Sequence, residues 1–150
     1  MKRKLFFAFL CLMSIGAFAQ YVDLGLPSGT KWKSTNEPGY YTYDQAVSKF
    51  GSSLPTKEQM EEFKYCEISR MNNGIMIIGP NGNYIFLSSD DGYCECDGTL
   101  TGVGSAQGYW TSTPYGTGRV TSYGLACGNG KIDFDNYERC YGFSVRLVKK

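Results

Sequence analysis

Cysteine is the residue type of this chain with the most reactive side chain, and Cys94 and Cys96 are separated by a single residue. Two closely spaced thiolates can hold a soft metal ion or take part in disulfide exchange. The usual metal and redox pairs have two residues between the cysteines, and the chain has no histidine to complete a zinc site. We therefore predict no metal ligand and no cofactor.

Carboxylates are the second group with possible chemistry, and Asp90, Asp91, Glu95 and Asp97 form an acidic loop. Calcium requires about six to eight oxygen ligands, so a solvated loop is the simpler interpretation. The absence of histidine excludes a histidine-based catalytic triad. No pair of acids stands in a recognisable glycosidase setting. The sequence thus predicts no catalytic residue, and we expect the chain not to be an enzyme.

Residues 1–19 have the pattern of a signal peptide. Lys2-Arg3-Lys4 is basic, the segment from Leu5 to Phe18 is apolar, and Ala17-Phe18-Ala19 fits the small-x-small cleavage rule. The apolar run is too short for a comfortable membrane span. We predict cleavage before Gln20, a single domain over residues 20–150, and export to the periplasm, the cell surface or the extracellular space.

The predicted mature chain has 131 residues, which is enough for one domain with its own core. It carries 12 basic and 14 acidic side chains, a net charge of −2, and no basic stripe that would indicate nucleic acid binding. No second apolar run predicts a membrane span. Five cysteines remain, so at least one is unpaired or bridges two molecules.

Two capping boxes predict two short helices. Thr42 with Gln45 begins the first, which has one apolar face and can end at Gly51. Thr56 with Gln59 begins the second, which we expect to continue to about Cys66. Both helices are short, so packing against the rest of the domain must stabilise them.

The remaining pattern is mostly that of short strands. Glycine-rich turns separate residues 21–24 from 31–34 and residues 75–78 from 84–87, and late strands are predicted near 108–112, 119–127, 130–135 and 141–148. Asn129-Gly130 predicts a tight hairpin. In the last strand, Phe143, Val145 and Leu147 alternate with Ser144 and Arg146, which predicts one buried face. The order of elements, with short strands, two helices and then many strands, predicts an α+β fold with two short helices packed on curved antiparallel β-sheets. We expect the two ends of the domain to be adjacent.

Five segments together resemble one domain family. They are Val22–Thr30, Leu54–Phe63, Gly79–Asn83, Gly108–Thr113 and Tyr141–Arg146. In this order they are similar to the Fibrobacter succinogenes major paralogous domain, which is abundant in secreted proteins of gut Bacteroidota. The resemblance covers nearly the whole mature chain. It implies a C-type-lectin-like fold, distantly related to the formylglycine-generating enzyme.

The resemblance also implies a disulfide bond. Cys127 and Cys140 bracket a hairpin, and similar spacing is bridged in many C-type-lectin-like domains. We therefore expect a Cys127–Cys140 bridge rather than two buried free thiols, since export allows it. Cys66 is left to pair with either Cys94 or Cys96, and the sequence does not choose between them.

In lectin-like folds the late loops face the ligand, which points here to Ser112–Arg119 and Ile132–Arg139. Loop tyrosines offer rigid, amphipathic contact area; those of this chain are Tyr40, Tyr41, Tyr93, Tyr115 and Tyr137. The predicted ligand-binding residues are Tyr115, Arg119, Asp133, Asp135, Tyr137 and Arg139.

Calcium-dependent lectins also have a Glu-Pro-Asn or Gln-Pro-Asp loop late in the domain. Asp133, Asp135 and Asn136 occupy roughly the later half of such a site, but Glu37-Pro38-Gly39 lies in the wrong region to be the first half. The predicted function is a secreted, non-catalytic binding module for a glycan or a protein. The alternatives are a structural or adhesin component of the cell surface and, more remotely, an enzyme derived from the formylglycine-generating fold.

Overall fold

The computed structural model describes residues 20–118 and 121–150, so the predicted signal peptide and Arg119 lie outside the described residues. The described residues form a mixed α+β structure of two short α-helices and several small antiparallel sheets. The helices are α1 (Tyr43–Phe50) and α2 (Lys57–Glu61), followed by single 3₁₀ turns at Gly51–Ser53 and Glu62–Tyr65. The strands are β1 (Tyr21–Asp23), β2 (Lys31–Lys33), β3 (Glu67–Met71), β4 (Gly74–Ile78), β5 (Tyr84–Ser88), β6 (Tyr93–Cys94), β7 (Leu100–Thr101), β8 (Ala106–Pro114), β9 (Thr121–Gly128), β10 (Lys131–Glu138) and β11 (Val148–Lys149).

Both predicted capping boxes are present. The Gln45 amide donates to Thr42 Oγ1 at 3.3 Å, and the Thr42 amide donates to Gln45 Oε1 at 3.0 Å. At α2 the corresponding distances between Thr56 and Gln59 are 3.2 and 2.8 Å. Each box satisfies main-chain donors that a helix start leaves unpaired. The helical segment from α2 ends before Cys66, as predicted.

The first sheet has the order β1-β2-β11, so the first and last strands share one sheet, as expected for adjacent ends. The second has the order β3-β4-β5, and its β4–β5 turn lies at Gly79–Asn83, as predicted. The side-chain amides of Asn81 and Asn83 both donate to the Asp23 carbonyl at 2.9 Å. This turn therefore packs onto the segment after β1. Strand β3 was not predicted, because most of its side chains are exposed and show no alternation.

The largest sheet has the order β8-β9-β10. Its β9–β10 hairpin turns at Asn129 and Gly130, whose φ angles are 51° and 74°. Two positive φ angles in succession are those of the tight hairpin that Asn-Gly favours, which confirms that prediction. Tyr109 and Leu125 project from this sheet into the main core beside Trp32 and Met60. Trp110 projects to the opposite side, into a second core with Leu54, under α1.

The segment after β10 differs from the prediction of one buried face. Phe143 and Val145 are buried as predicted, but Ser144 and Arg146 are only 2% and 3% exposed. The segment runs between the two cores, with Phe143 bridged to Tyr41 and Ser144 bridged to Tyr109. Both of its faces are therefore covered, and the alternating polar residues lie inside the protein.

The predicted Cys127–Cys140 bridge is wrong, because Cys140 is bonded to Cys96, with their Cα atoms 4.9 Å apart. Main-chain hydrogen bonds of 2.9 Å run both ways between Cys94 and Gly142, and this antiparallel pairing places Cys96 opposite Cys140. Cys127 instead projects from β9 into the main core and is 4% exposed. Cys66 and Cys94 are also free thiols, so neither of the pairings considered for Cys66 forms.

The longer of the two helices, α1, has eight residues. Among the described residues, no helix has the length and hydrophobicity of a membrane-spanning one.

Candidate functional site

The face of the β8-β9-β10 sheet that is turned away from the main core carries an open groove of about 410 Å³. Its floor consists of Ala106 and Gly108 on β8 with Ala126 and Gly128 on β9. These four residues are cross-strand partners, Ala106 with Gly128 and Gly108 with Ala126. Because none of the four has a side chain larger than a methyl group, this part of the sheet surface forms a depression between the larger side chains around it.

Four aromatic side chains form the wall of the groove: Tyr93, Tyr137, Tyr141 and Phe143. The Phe143 ring is central to them, with ring centroids 6.0 Å from Tyr93, 5.3 Å from Tyr137 and 5.6 Å from Tyr141. The Tyr141 and Phe143 rings are stacked, with 21° between their planes. A Cβ atom on Gly108 would lie 2.6 Å from the Phe143 ring, so glycine is required beneath this wall.

Two charged residues of β10, Lys131 and Asp133, complete the groove. They lie opposite Gly128 and Ala126 respectively, so both belong to the same face of the sheet as the floor. Asp135 follows two residues later on this face, opposite Gly124. One of its carboxylate oxygens accepts hydrogen bonds from the amide and side chain of Asn136 at 2.8 and 3.1 Å.

The phenols of the wall remain protonated at neutral pH. Burial raises the pKa of Tyr137 to about 12, and the charges of Asp133 and Asp135 act in the same direction. The Glu95 carboxylate is the main cause of the raised pKa of Tyr141, and it adds to the effect of burial on the pKa of Tyr93. The three hydroxyl groups therefore remain hydrogen-bond donors, and those of Tyr93 and Tyr141 interact with the Glu95 carboxylate.

This arrangement is suited to reversible binding. Flat aromatic walls offer apolar contact area and hydroxyl donors at their edges. A small-residue floor leaves room for a ring-shaped ligand, and Asp133 offers a carboxylate that accepts hydrogen bonds. Sites of this type combine apolar surface with a few polar groups that orient the ligand.

The structure brings together only some of the predicted site residues. Asp133 and Tyr137 line the groove, and Asp135 lies beside it on β10. Tyr115 is 43% exposed in the β8–β9 connection and is not part of the groove lining. Arg119 lies outside the described residues. The described part of that predicted surface, residues 112–118, does not contribute to the groove lining.

Arg139 has contacts on the side of α1 instead of in the groove. Its Nε donates to Ser122 Oγ at 2.8 Å, and its Nη2 donates to the Gly118 carbonyl at 3.2 Å. Its guanidinium lies over the Tyr43 ring, 4.5 Å from the centroid. These contacts connect β9 and the β8–β9 connection to the start of α1.

The sequence analysis named Tyr93 only as a loop tyrosine and did not select Tyr141, Phe143 or Lys131 as site residues. Two signals could have found them. Tyr141 and Phe143 flank Gly142, so the two rings emerge on the same side of an extended segment. Small residues alternate at Ala106 and Gly108 in β8 and at Gly124, Ala126 and Gly128 in β9, which marks a part of the sheet face with no large side chains of its own.

Two of the other loop tyrosines, Tyr40 and Tyr41, hydrogen-bond to main-chain carbonyls of loops. The Tyr40 hydroxyl donates to the Asp91 carbonyl, and the Tyr41 hydroxyl donates to the Pro38 carbonyl. Glu37, in the segment compared with calcium-binding lectins, pairs with Lys33.

In the described part of the chain, the one group of three Cys, Asp or Glu side chains with mutually close ligand atoms is Cys96, Glu138 and Cys140. Its two sulfurs are joined in the disulfide bond, so they are not thiolate ligands.

No protein-family model, curated protein or solved structure matches this chain.

Proposed function

We propose that this chain is an exported, non-catalytic binding module of the domain family that it resembles, and that its groove recognises a glycan. The observation that carries the proposal is the wall of Tyr93, Tyr137 and Tyr141 beside Asp133, over a floor of glycine and alanine. A pyranose ring has an apolar C–H face and hydroxyl groups around its edge. The tyrosine rings can pack against the apolar face of the sugar, and the Asp133 carboxylate and the phenol groups can hydrogen-bond to its hydroxyl groups.

The C-type-lectin-like fold is part of the same proposal. It is supported by the pairing of β1 and β11 with β2, by two capped helices that precede most of the strands, and by the large late sheet. Export is supported by the Cys96–Cys140 disulfide bond, because bonds of this kind persist in oxidising compartments.

An array of glycans and cell-surface proteins, probed with the folded protein, tests the proposal. We expect glycans to be bound, and we expect Tyr141→Ala to weaken the binding by about 2 kcal/mol, the usual effect of removing an aromatic anchor. Tyr115→Ala is the matched control, since it removes a tyrosine outside the groove lining. Chelation of divalent cations should leave the affinity unchanged. Loss of binding on chelation would instead make Asp133, Asp135 and Asn136 candidates for calcium ligands.

A second candidate is the structural or adhesin role, and the free thiols favour it. Cys66 and Cys94 are unpaired and only partly buried, so either could bridge to another molecule. Mass analysis of the exported protein without reduction would reveal such a bridge. The remote alternative is an oxidase or hydrolase derived from the formylglycine-generating fold. Its oxidase form needs reactive cysteines, and Cys127 does not support it, because burial raises the pKa of its thiol.

A further inference from the structure

The half-buried tyrosines of the groove wall offer ring surface to a ligand. Tyr93 and Tyr141 pack edge to face, with centroids 6.2 Å apart at 65°, and both contact Phe143, which is only 3% exposed. Aromatic faces carry negative electrostatic potential, and several rings around one cleft favour an ammonium group more strongly when water is partly excluded. A neutral sugar would gain only the apolar part of this contact.

Carboxylates surround this wall. Asp133 lines the groove and Asp135 follows on the same face of β10. The Glu95 carboxylate lies beside the hydroxyls of Tyr93 and Tyr141, and Glu138 adds to the negative charge near Tyr141. In residues 20–118 and 121–150, no ion pair neutralises Asp133, Asp135 or Glu95.

Among the described residues, Lys131 is the one basic residue of the groove lining, and it lies at the hairpin end, opposite Gly128. Tyr137 lies at the other end of β10, opposite Ser122. The same carboxylates contribute to the raised pKa values of Tyr137 and Tyr141, although burial is the larger cause for Tyr137. Asp133 lies next to Lys131 on the groove face of β10, and Asp135 and Glu95 add negative charge nearer the rings.

From this charge and ring arrangement, and assuming the proposed glycan-binding function, we infer that the ligand is a cationic glycan: an oligosaccharide of unacetylated hexosamine units. The protonated amine lies against the tyrosine faces and is balanced by Asp133 and Glu95. The hydroxyls of neighbouring units bond the remaining polar groups. An N-acetyl group would remove the charge and add bulk at the same position.

Three β-1,4-linked oligosaccharides of equal length test the inference by calorimetry: one of glucose, one of N-acetylglucosamine and one of glucosamine. The glucosamine oligomer should bind more tightly than the other two by about tenfold or more, as a partly desolvated ammonium–aromatic contact implies. Its affinity should fall as salt is added, because exposed charges are screened. Equal affinity for all three would overturn the inference and leave the glycan-binding proposal standing. Binding of none of the three would also overturn the inference, and the glycan array then decides separately whether the glycan-binding proposal stands.

Two variants separate a built site from general attraction between opposite charges. Asp133→Asn and Glu95→Gln should each reduce the preference for the glucosamine oligomer. Glu67→Gln removes an exposed acid of β3, in a different sheet, and should leave the preference unchanged. An equal loss in all three variants would show general charge attraction and overturn the inference. Tighter binding of a lysine-rich peptide than of the glucosamine oligomer would overturn the assignment to a sugar.

Discussion

The Arg146 guanidinium donates a hydrogen bond of 2.7 Å from Nη2 to the main-chain carbonyl of Phe86, which joins the last extended segment to β5. The same side chain donates from Nε to Asn36 Oδ1 at 2.8 Å and from Nη1 to the Lys33 carbonyl at 3.0 Å. Arg146 is 3% exposed, so these bonds are made inside the protein. One buried cation therefore connects three segments that are distant in sequence.

We expect Arg146→Met to lower the free energy of unfolding by about 2–4 kcal/mol, because it keeps most of the apolar stem but leaves buried acceptors without a donor. Urea unfolding followed by circular dichroism measures the loss. Arg70→Ala is the control, since Arg70 is an exposed residue of β3 and should change stability by no more than about 0.5 kcal/mol. Equal effects of the two variants would contradict the structural role of Arg146.

The disulfide bond gives a second prediction. Peptide mapping without reduction should recover Cys96 linked to Cys140, and the Cys140→Ala variant should lose about 2–4 kcal/mol of stability, as expected for a loop of 44 residues. Cys94→Ser removes a free thiol two residues from the bridge and should have a much smaller effect. A peptide that links Cys127 to Cys140 would contradict this pairing.

Alkaline pH should destabilise the fold through Tyr109. Burial raises the pKa of Tyr109 to about 12, above its ordinary value of 10.0, so the folded state favours the neutral phenol. The stabilisation is complete below the unfolded pKa and is lost as the pH rises through the folded pKa. Between pH 10 and 12 the free energy of unfolding should fall by about 2–3 kcal/mol from this group. Tyr109→Phe lacks this group, so the difference in urea midpoint between the native chain and Tyr109→Phe should shift in favour of the variant as the pH rises across this range. A difference that stays constant would contradict the prediction.

Filling the floor of the groove should block binding without disturbing the core. Ala126 lies on the groove face, opposite Asp133. We expect Ala126→Leu to abolish glycan binding, because the larger side chain occupies the space above the sheet, and to leave the melting temperature nearly unchanged. Ala126→Ser adds only one atom and should keep binding. If Ala126→Leu binds normally, the ligand does not lie on this face.

The sequence by itself determined the structures whose causes are local. Thr42 with Gln45 and Thr56 with Gln59 specify helix starts, because each box is complete within four residues. Asn129-Gly130 specifies the β9–β10 hairpin, because both residues tolerate positive φ. Asp133 and Tyr137 were selected because the lectin-like resemblance points to the late loops, and the structure places both in the groove lining.

Only the tertiary structure decided the disulfide partner, the burial of Arg146 and the membership of the groove. Each depends on contacts between residues far apart in sequence. The resemblance to C-type-lectin-like domains implied Cys127 as the partner of Cys140, but pairing of Cys94 with Gly142 brings Cys96 opposite instead. The groove combines Tyr93, the floor of β8 and β9, and Tyr141 after β10, and no local pattern states which strands will be neighbours. Strand pairing and side-chain packing are set by the free energy of the whole domain. The disulfide partner, the burial of Arg146 and the residues of the groove therefore follow from the folded structure and not from local sequence patterns.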